Sequence, residues 1–123
     1  MGSEYVTDFI IQKADSSYIV VEIEKASNKL YTINGDQTKE LRHAIRQIED
    51  WQRWIHENIS YARKKLKGIT NPKGLILIGN SRTLNDDDLK RLSYSNSNTR
   101  RSYEIITYDD LIEKGKLLIK NLS

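Results

Sequence analysis

Two carboxylates, Glu22 and Glu24, stand two residues apart near the end of an apolar, β-branched run, "YIVVEIEKAS" over Tyr18–Ser27. A residue spacing of two puts both on one face of a strand. A third acid, Asp8, sits in the preceding apolar segment, "TDFII". Carboxylates that meet repel, so the patch needs a positive partner or a shared proton. A hard divalent cation such as Mg²⁺ answers that need with a few carboxylates, leaving its other positions to water and phosphate oxygens. Such an ion lowers the pKa of a bound water and offsets charge building on a scissile phosphate. Spacing alone leaves a second reading open, in which Glu22 and Glu24 line the solvent face of a half-exposed hairpin and pair with Arg or Lys. Tyr18 and Val20 share their face, however, and the acids crowd toward one end.

The elements that must position these acids are two strands. Tyr5–Lys13 and Tyr18–Lys25 read as a hairpin joined through "ADSS". A three-residue turn, either Ala14–Ser16 or Asp15–Ser17, sets Asp8 opposite Glu22 or Glu24 and on their face. A four-residue turn sets it among Ile19, Val21 and Ile23, where an unpaired charge is costly. Hydrophobic pattern sets register, so the three-residue turn is expected and the three acids converge.

Behind the hairpin, "KLYTI" continues or adds to the sheet, and "NGDQ" resembles a helix start capped by Asn34 and boxed by Gln37. From about Asp36 to Lys67 the residues Leu41, Ala44, Ile45, Ile48, Trp51, Ile55, Ile59, Ala62 and Leu66 recur at three and four, the helical period. Cations in "ARKKLKG" and Gly68 suit its end. Next come a short buried strand in "GLILIGN", a short helix in "LNDDDLKRL" capped at Asn85 or Asp86, and a polar loop, "YSNSNTRRS". A strand over Tyr103–Thr107 and a final helix from "YDDL" close the order: strand, strand, long helix, strand, helix, strand, helix. Such an order predicts an α/β domain, a mixed sheet flanked by helices.

Composition narrows the class. The chain has 123 residues, 37% hydrophobic and 30% charged, enough for one small globular domain over 1–123. No apolar run reaches membrane-spanning length, and no secretory leader is evident. With no cysteine, disulfides and thiolate metal sites are excluded, and a reducing cytoplasm fits. A formal net charge of +3 is a mild pointer to a polyanionic partner.

Asp8, then Glu22-Ile23-Glu24-Lys25, then a helix carrying Gln47 together resemble the PD-(D/E)xK nuclease superfamily. More closely, "VEIEK", "AIRQIEDW", "LILIG" and "TYDDL" resemble the nuclease domain of the Shedu anti-phage defence family over nearly the whole chain. The resemblance implies a restriction-endonuclease-like fold and Mg²⁺- or Mn²⁺-dependent endonucleolytic cleavage of DNA. It matches Asp8 to the metal-binding aspartate, Glu22 to the acid of the (D/E)xK pair and Gln47 to a helical glutamine. It implies self-association into a homo-oligomer, with other domains or subunits choosing the target. Two departures stand out. Glu24 occupies the lysine position, and some superfamily members use E-x-E with the second glutamate helping to bind metal or activate water. Lys25 comes one residue late. The superfamily core also places a helix and a strand before the Asp-bearing strand, whereas only "MGSEYV" precedes this stretch, as in a fragment, a shortened version or a subunit that borrows the missing parts.

On this reading Asp8, Glu22 and Glu24 hold the metal and position water, and Gln47 orients that water or a carboxylate. Gln47 borders the apolar stripe, so it can look at the sheet. His43, one turn earlier, reads better as an exposed helix residue. Arg63, Lys64, Lys65 and Lys67 suit a helix C-terminus better than a phosphate grip, while Arg100 and Arg101 fit either a solvated loop or phosphate contacts. Trp51 reads as core. Trp54 lies off the stripe, at an interface or on a partly covered surface. Asp109 and Asp110 read as helix-start acids. The rival readings are a catalytically inactive module of the same fold that binds nucleic acid or protein, kept alive by Glu24, and an assembly domain whose acids are mere surface.

Overall fold

The computed structural model describes residues 9–98 and 100–122, with 117–122 described by backbone alone. Four strands form one mixed sheet in the order β1-β2-β3-β4. β1 (Phe9–Gln12) runs antiparallel to β2 (Tyr18–Ile23), and β3 (Lys73–Leu77) and β4 (Tyr103–Ile106) continue parallel to β2. Helices flank the sheet: α1 (Lys39–Glu57), α2 (Ile59–Lys65), α3 (Asp86–Ser97) and α4 (Tyr108–Leu122). Among the described residues the α/β class and the order of elements agree with the expectation, apart from the break between α1 and α2.

The hairpin has the expected register. Phe9 lies opposite Val21 and Gln12 opposite Tyr18. The Lys13 N–H donates to the Ser17 carbonyl at 2.7 Å, so Ala14–Ser16 is the three-residue loop. Loops of this length end in a residue of left-handed conformation. With no glycine available, Ser16 supplies it at φ 71°. Asp8, and residues 5–7 of the expected first strand, lie outside the described residues.

The sheet's core face differs from the expected one. α1 covers the face that carries Tyr18, Val20, Ile76, Ile78, Tyr103 and Ile105, all buried in one cluster with Leu41, Ala44, Ile48, Trp51 and Ile55. This is the face of the acids. The opposite face keeps Val21, Leu77 and Ile106 buried but leaves Phe9 at 55% and Ile11 at 49% exposure. α1 approaches the sheet closely at Gly74, where a Cβ would clash with the Ile48 side chain. Gln52 ties the same helix to the strands' amino ends: its amide donates to the Pro72 and Ser102 carbonyls, each at 3.0 Å, and accepts from the Ser102 hydroxyl.

Several boundaries move for local reasons. Asn34 does not cap α1. Thr38 does, accepting from the Leu41 N–H at 3.2 Å, while Asn34–Gly35 forms a turn with Gly35 at φ 85°. "KLYTI" adds no strand to the sheet and makes only an isolated bridge, Tyr31 with Gln37. The long helix breaks at Asn58 (φ −124°), whose side chain donates to the Trp54 carbonyl. Asparagine competes with the helical ladder in this way, and the apolar period cannot register it. Conversely, Tyr94–Ser97 is helical rather than loop. α3 starts at a full capping box of Asn85 and Asp88 and runs to Ser97. Asn96 on α3 closes the outer edge of β4, donating to the Ile105 carbonyl at 2.8 Å and accepting from its N–H at 2.9 Å. A side-chain amide that imitates a neighbouring strand satisfies an edge that water would otherwise fill.

Candidate functional site at the carboxyl ends of the parallel strands

Glu22 lies within β2, opposite Ile76 of β3. It is 7% exposed, a carboxylate at the end of the core face that α1 covers. Burial at this level disagrees with a purely solvent-facing acid. Ionised carboxylates are kept in such surroundings only with compensating partners. Glu24 follows the strand, yet its N–H still donates to the Leu77 carbonyl at 2.8 Å, so the ladder extends to it. Alternation turns its half-buried side chain to the side of Glu22. There it lines a cavity of about 530 Å³ whose other wall is α1, through Lys39, Glu40, Arg42, His43 and Arg46.

Ligands of parallel sheets bind beyond the carboxyl ends of the strands, and this cavity lies there. The end is held firmly. Tyr108, the first residue of α4, donates its hydroxyl to the Glu24 carbonyl at 2.6 Å. The Gly79 N–H donates to the Lys25 carbonyl at 3.2 Å, and the Tyr108 N–H to the Gly79 carbonyl at 3.0 Å. Gly79 sits at φ 69°, where a Cβ would meet the Asn28 carbonyl oxygen at 2.5 Å. The Asn28 amide reaches toward Glu24 Oε2 at 3.5 Å.

Asp109 has a structural role, as expected of a helix-start acid. It accepts from the Ser81 backbone N–H at 3.0 Å and from the Ser81 hydroxyl. Burial pushes its carboxyl up, but the bonds from Ser81 and from Thr107 outweigh that and hold its pKa at about 2.

Gln47 is half-buried on α1, one turn after exposed His43, and their Nε2 atoms lie 3.4 Å apart. The amide is placed to donate to the ring when His43 carries its proton on Nδ1. His43 is thus exposed as expected, but it also lines the cavity beside Glu24. Among the described residues no three acids or histidines gather closely enough to hold a metal ion. Glu22 and Glu24 are the described members of the expected set, and Asp8 lies outside them.

The cationic wall of α1 was not singled out in the sequence. Lys39, Arg42 and Arg46 follow one another at three and four residues, the spacing of one helical face. That face borders the buried stripe of Leu41 and Ala44, and this was the available signal. Among the described residues none of the three enters an ion pair. The other basic groups lie elsewhere. Arg63 donates to the Ile69 carbonyl at 3.0 Å and so closes the turn after α2. Trp51 is core, and half-buried Trp54 packs edge-on between it and Tyr61, at 5.6 and 6.0 Å. No helix among the described residues is long and apolar enough to cross a membrane.

No curated protein matches the chain. A family model described as "Shedu protein SduA, C-terminal" matches residues 1–112, which is most of the sequence. With a matched span that includes β1 to β4, Glu22 and Glu24, and the opening of α4, the chain belongs to the Shedu SduA C-terminal family.

Proposed function

We propose that the domain is a divalent-metal-dependent endonuclease of the PD-(D/E)xK type, hydrolysing DNA phosphodiester bonds in anti-phage defence. The observation that carries this reading is the pairing of Glu22, buried at a strand's carboxyl end, with Glu24 on the same face, beside the cationic wall of α1. Two carboxylates offer the oxygen donors that Mg²⁺ or Mn²⁺ prefers, and Mg²⁺ takes only one or two from protein before water and phosphate fill its shell. The residues present therefore fit such an ion. Glu22 and Glu24 would hold it, with Asp8 as the third ligand, and the ion would supply an acidified water and charge stabilisation at the phosphate.

This chain's own side chains do the rest. Glu24, at the position of the motif's lysine, accepts a proton from the attacking water. Gln47 and His43 face each other one helical turn apart, and Gln47 orients that water or a carboxylate. Lys39, Arg42 and Arg46 hold the flanking phosphates. Membership of a defence family and a cytoplasmic, homo-oligomeric setting belong to the same reading, with other domains or subunits choosing the target.

One observation favours a second reading. Glu24 stands where the motif carries lysine, so the same fold could grip nucleic acid without cutting it. A plasmid-nicking assay with Mg²⁺ and with Mn²⁺, wild type beside Glu22→Gln, separates the two. Cleavage that needs metal and is lost in Glu22→Gln supports the nuclease. Salt-sensitive DNA binding with no cleavage under either metal supports the binding module.

A further inference from the structure

Arg100 and Arg101 take no part in the site described above. They lie at the opposite, amino end of the parallel strands, one strand length away, about 17 Å. A second cavity of about 490 Å³ opens there between the β1–β2 turn, the start of β3 and the loop before β4. Lys13, Lys73 and Arg101 reach it from three separate segments, and Glu104 is the acid on its wall. An adjoining cavity of about 380 Å³ shares Asn71, Lys73 and Arg101 and adds Arg100.

Among the described residues, none of these four cations enters an ion pair. Arg101 shows the deficit most clearly. Its Nη1 donates to the neutral Tyr103 hydroxyl at 2.6 Å, and its guanidinium carbon lies 5.8 Å from that ring's centre. Its Nε is buried, so a ligand in the cavity would meet the outer nitrogens of the guanidinium. Cations that share a cavity with no ion pair repel one another, and a bound anion relieves that repulsion.

We propose that this cavity binds a small phosphorylated ligand of nucleotide size, its phosphate oxygens accepting from Lys73 and Arg101. An excess of positive charge suits a dianion or higher better than a carboxylate. A cavity of about 490 Å³ is of small-molecule size. The proposal does not depend on the nuclease reading.

Thermal unfolding of the intact chain in EDTA tests it, with pyrophosphate and ADP as probes. A saturable rise in midpoint is expected, with the half-saturating concentration raised at least ten-fold in Lys73→Gln and in Arg101→Gln. Lys64→Gln, at an exposed position of α2 and outside both cavities, should leave it unchanged. Lys73 is exposed, so its variant keeps the test open if Arg101→Gln folds poorly. The proposal is overturned by the absence of a saturable shift, or by an equal shift with sodium sulfate at matched ionic strength. It is also overturned if a short DNA duplex competes for Lys73 and Arg101 more strongly than ADP, which would assign the cavity to nucleic acid.

Discussion

The Tyr108 hydroxyl donates to the backbone carbonyl of Glu24 at 2.6 Å, across 84 residues of sequence. This single bond joins the start of the last helix to the strand end that carries the acids. Tyr108→Phe removes it without changing the packing shape. The expected loss is about 1 kcal/mol of stability, read from urea unfolding. If the bond also positions Glu24, nicking should fall several-fold in kcat with little change in DNA affinity. A variant that loses stability alone would limit Tyr108 to a structural role.

Glu24→Gln keeps size and hydrogen-bonding capacity but cannot take a proton. Under the proposed chemistry its metal-dependent nicking rate should fall by roughly 10²-fold or more. Unchanged cleavage would remove Glu24 from the proton path.

Arg42→Gln combined with Arg46→Gln should weaken DNA binding in the absence of metal. Each lost phosphate contact lowers the slope of log affinity against log salt by about 0.9, so the pair should lower it by about 2. Fluorescence anisotropy across a salt series measures this, and an unaltered slope would leave the α1 wall without a role in binding.

Gly79→Ala places a side chain on a left-handed backbone and against the Asn28 carbonyl. Backbone strain of this kind costs on the order of 1–3 kcal/mol before the clash is counted. The midpoint of urea unfolding should drop accordingly. An alanine variant as stable as wild type would mean that the loop rearranges freely.

Asp109 contributes a pH-dependent part of the stability. Its folded pKa of about 2 lies below the unfolded carboxylate value. The contribution is therefore complete above the unfolded pKa and is lost as pH falls through the folded one. The difference in melting temperature between wild type and Asp109→Asn should be constant above about pH 5 and shrink from there toward pH 2. A difference that stays constant down to pH 2 would show that the carboxylate's charge is not what Ser81 stabilises.

Much of this was legible in the residues. Val20 and Glu22 alternate as a strand must, and the expected three-residue loop does pair Phe9 with Val21, although the face this gives to the acids is the one that α1 covers rather than the one expected to stay outside the core. Leu41, Ala44, Ile48, Trp51 and Ile55 recur at the helical period and are all buried. Boundaries were less legible, because caps and breaks are made by single polar side chains. Thr38 replaced Asn34 as the cap, and Asn58 broke a helix whose apolar period runs on unbroken. Asn96 looked like loop material because nothing local reveals that its amide closes a strand edge nine residues later.

Local sequence by itself determined the main elements, their order, the length of the hairpin loop and the placement of Glu22 and Glu24 on one face. These follow from periodicity and sterics within a few neighbouring residues. Tertiary structure alone decided that α1 covers that face, and that Lys39, Arg42 and Arg46 stand across a cavity from Glu24. It alone decided that Tyr108 grips the strand end, and that Lys13, Lys73 and Arg101 gather at the opposite pole. The physical reason is that these relationships join residues far apart in the chain. Which helix packs on which face depends on the burial of the whole sheet, and no local spacing encodes it.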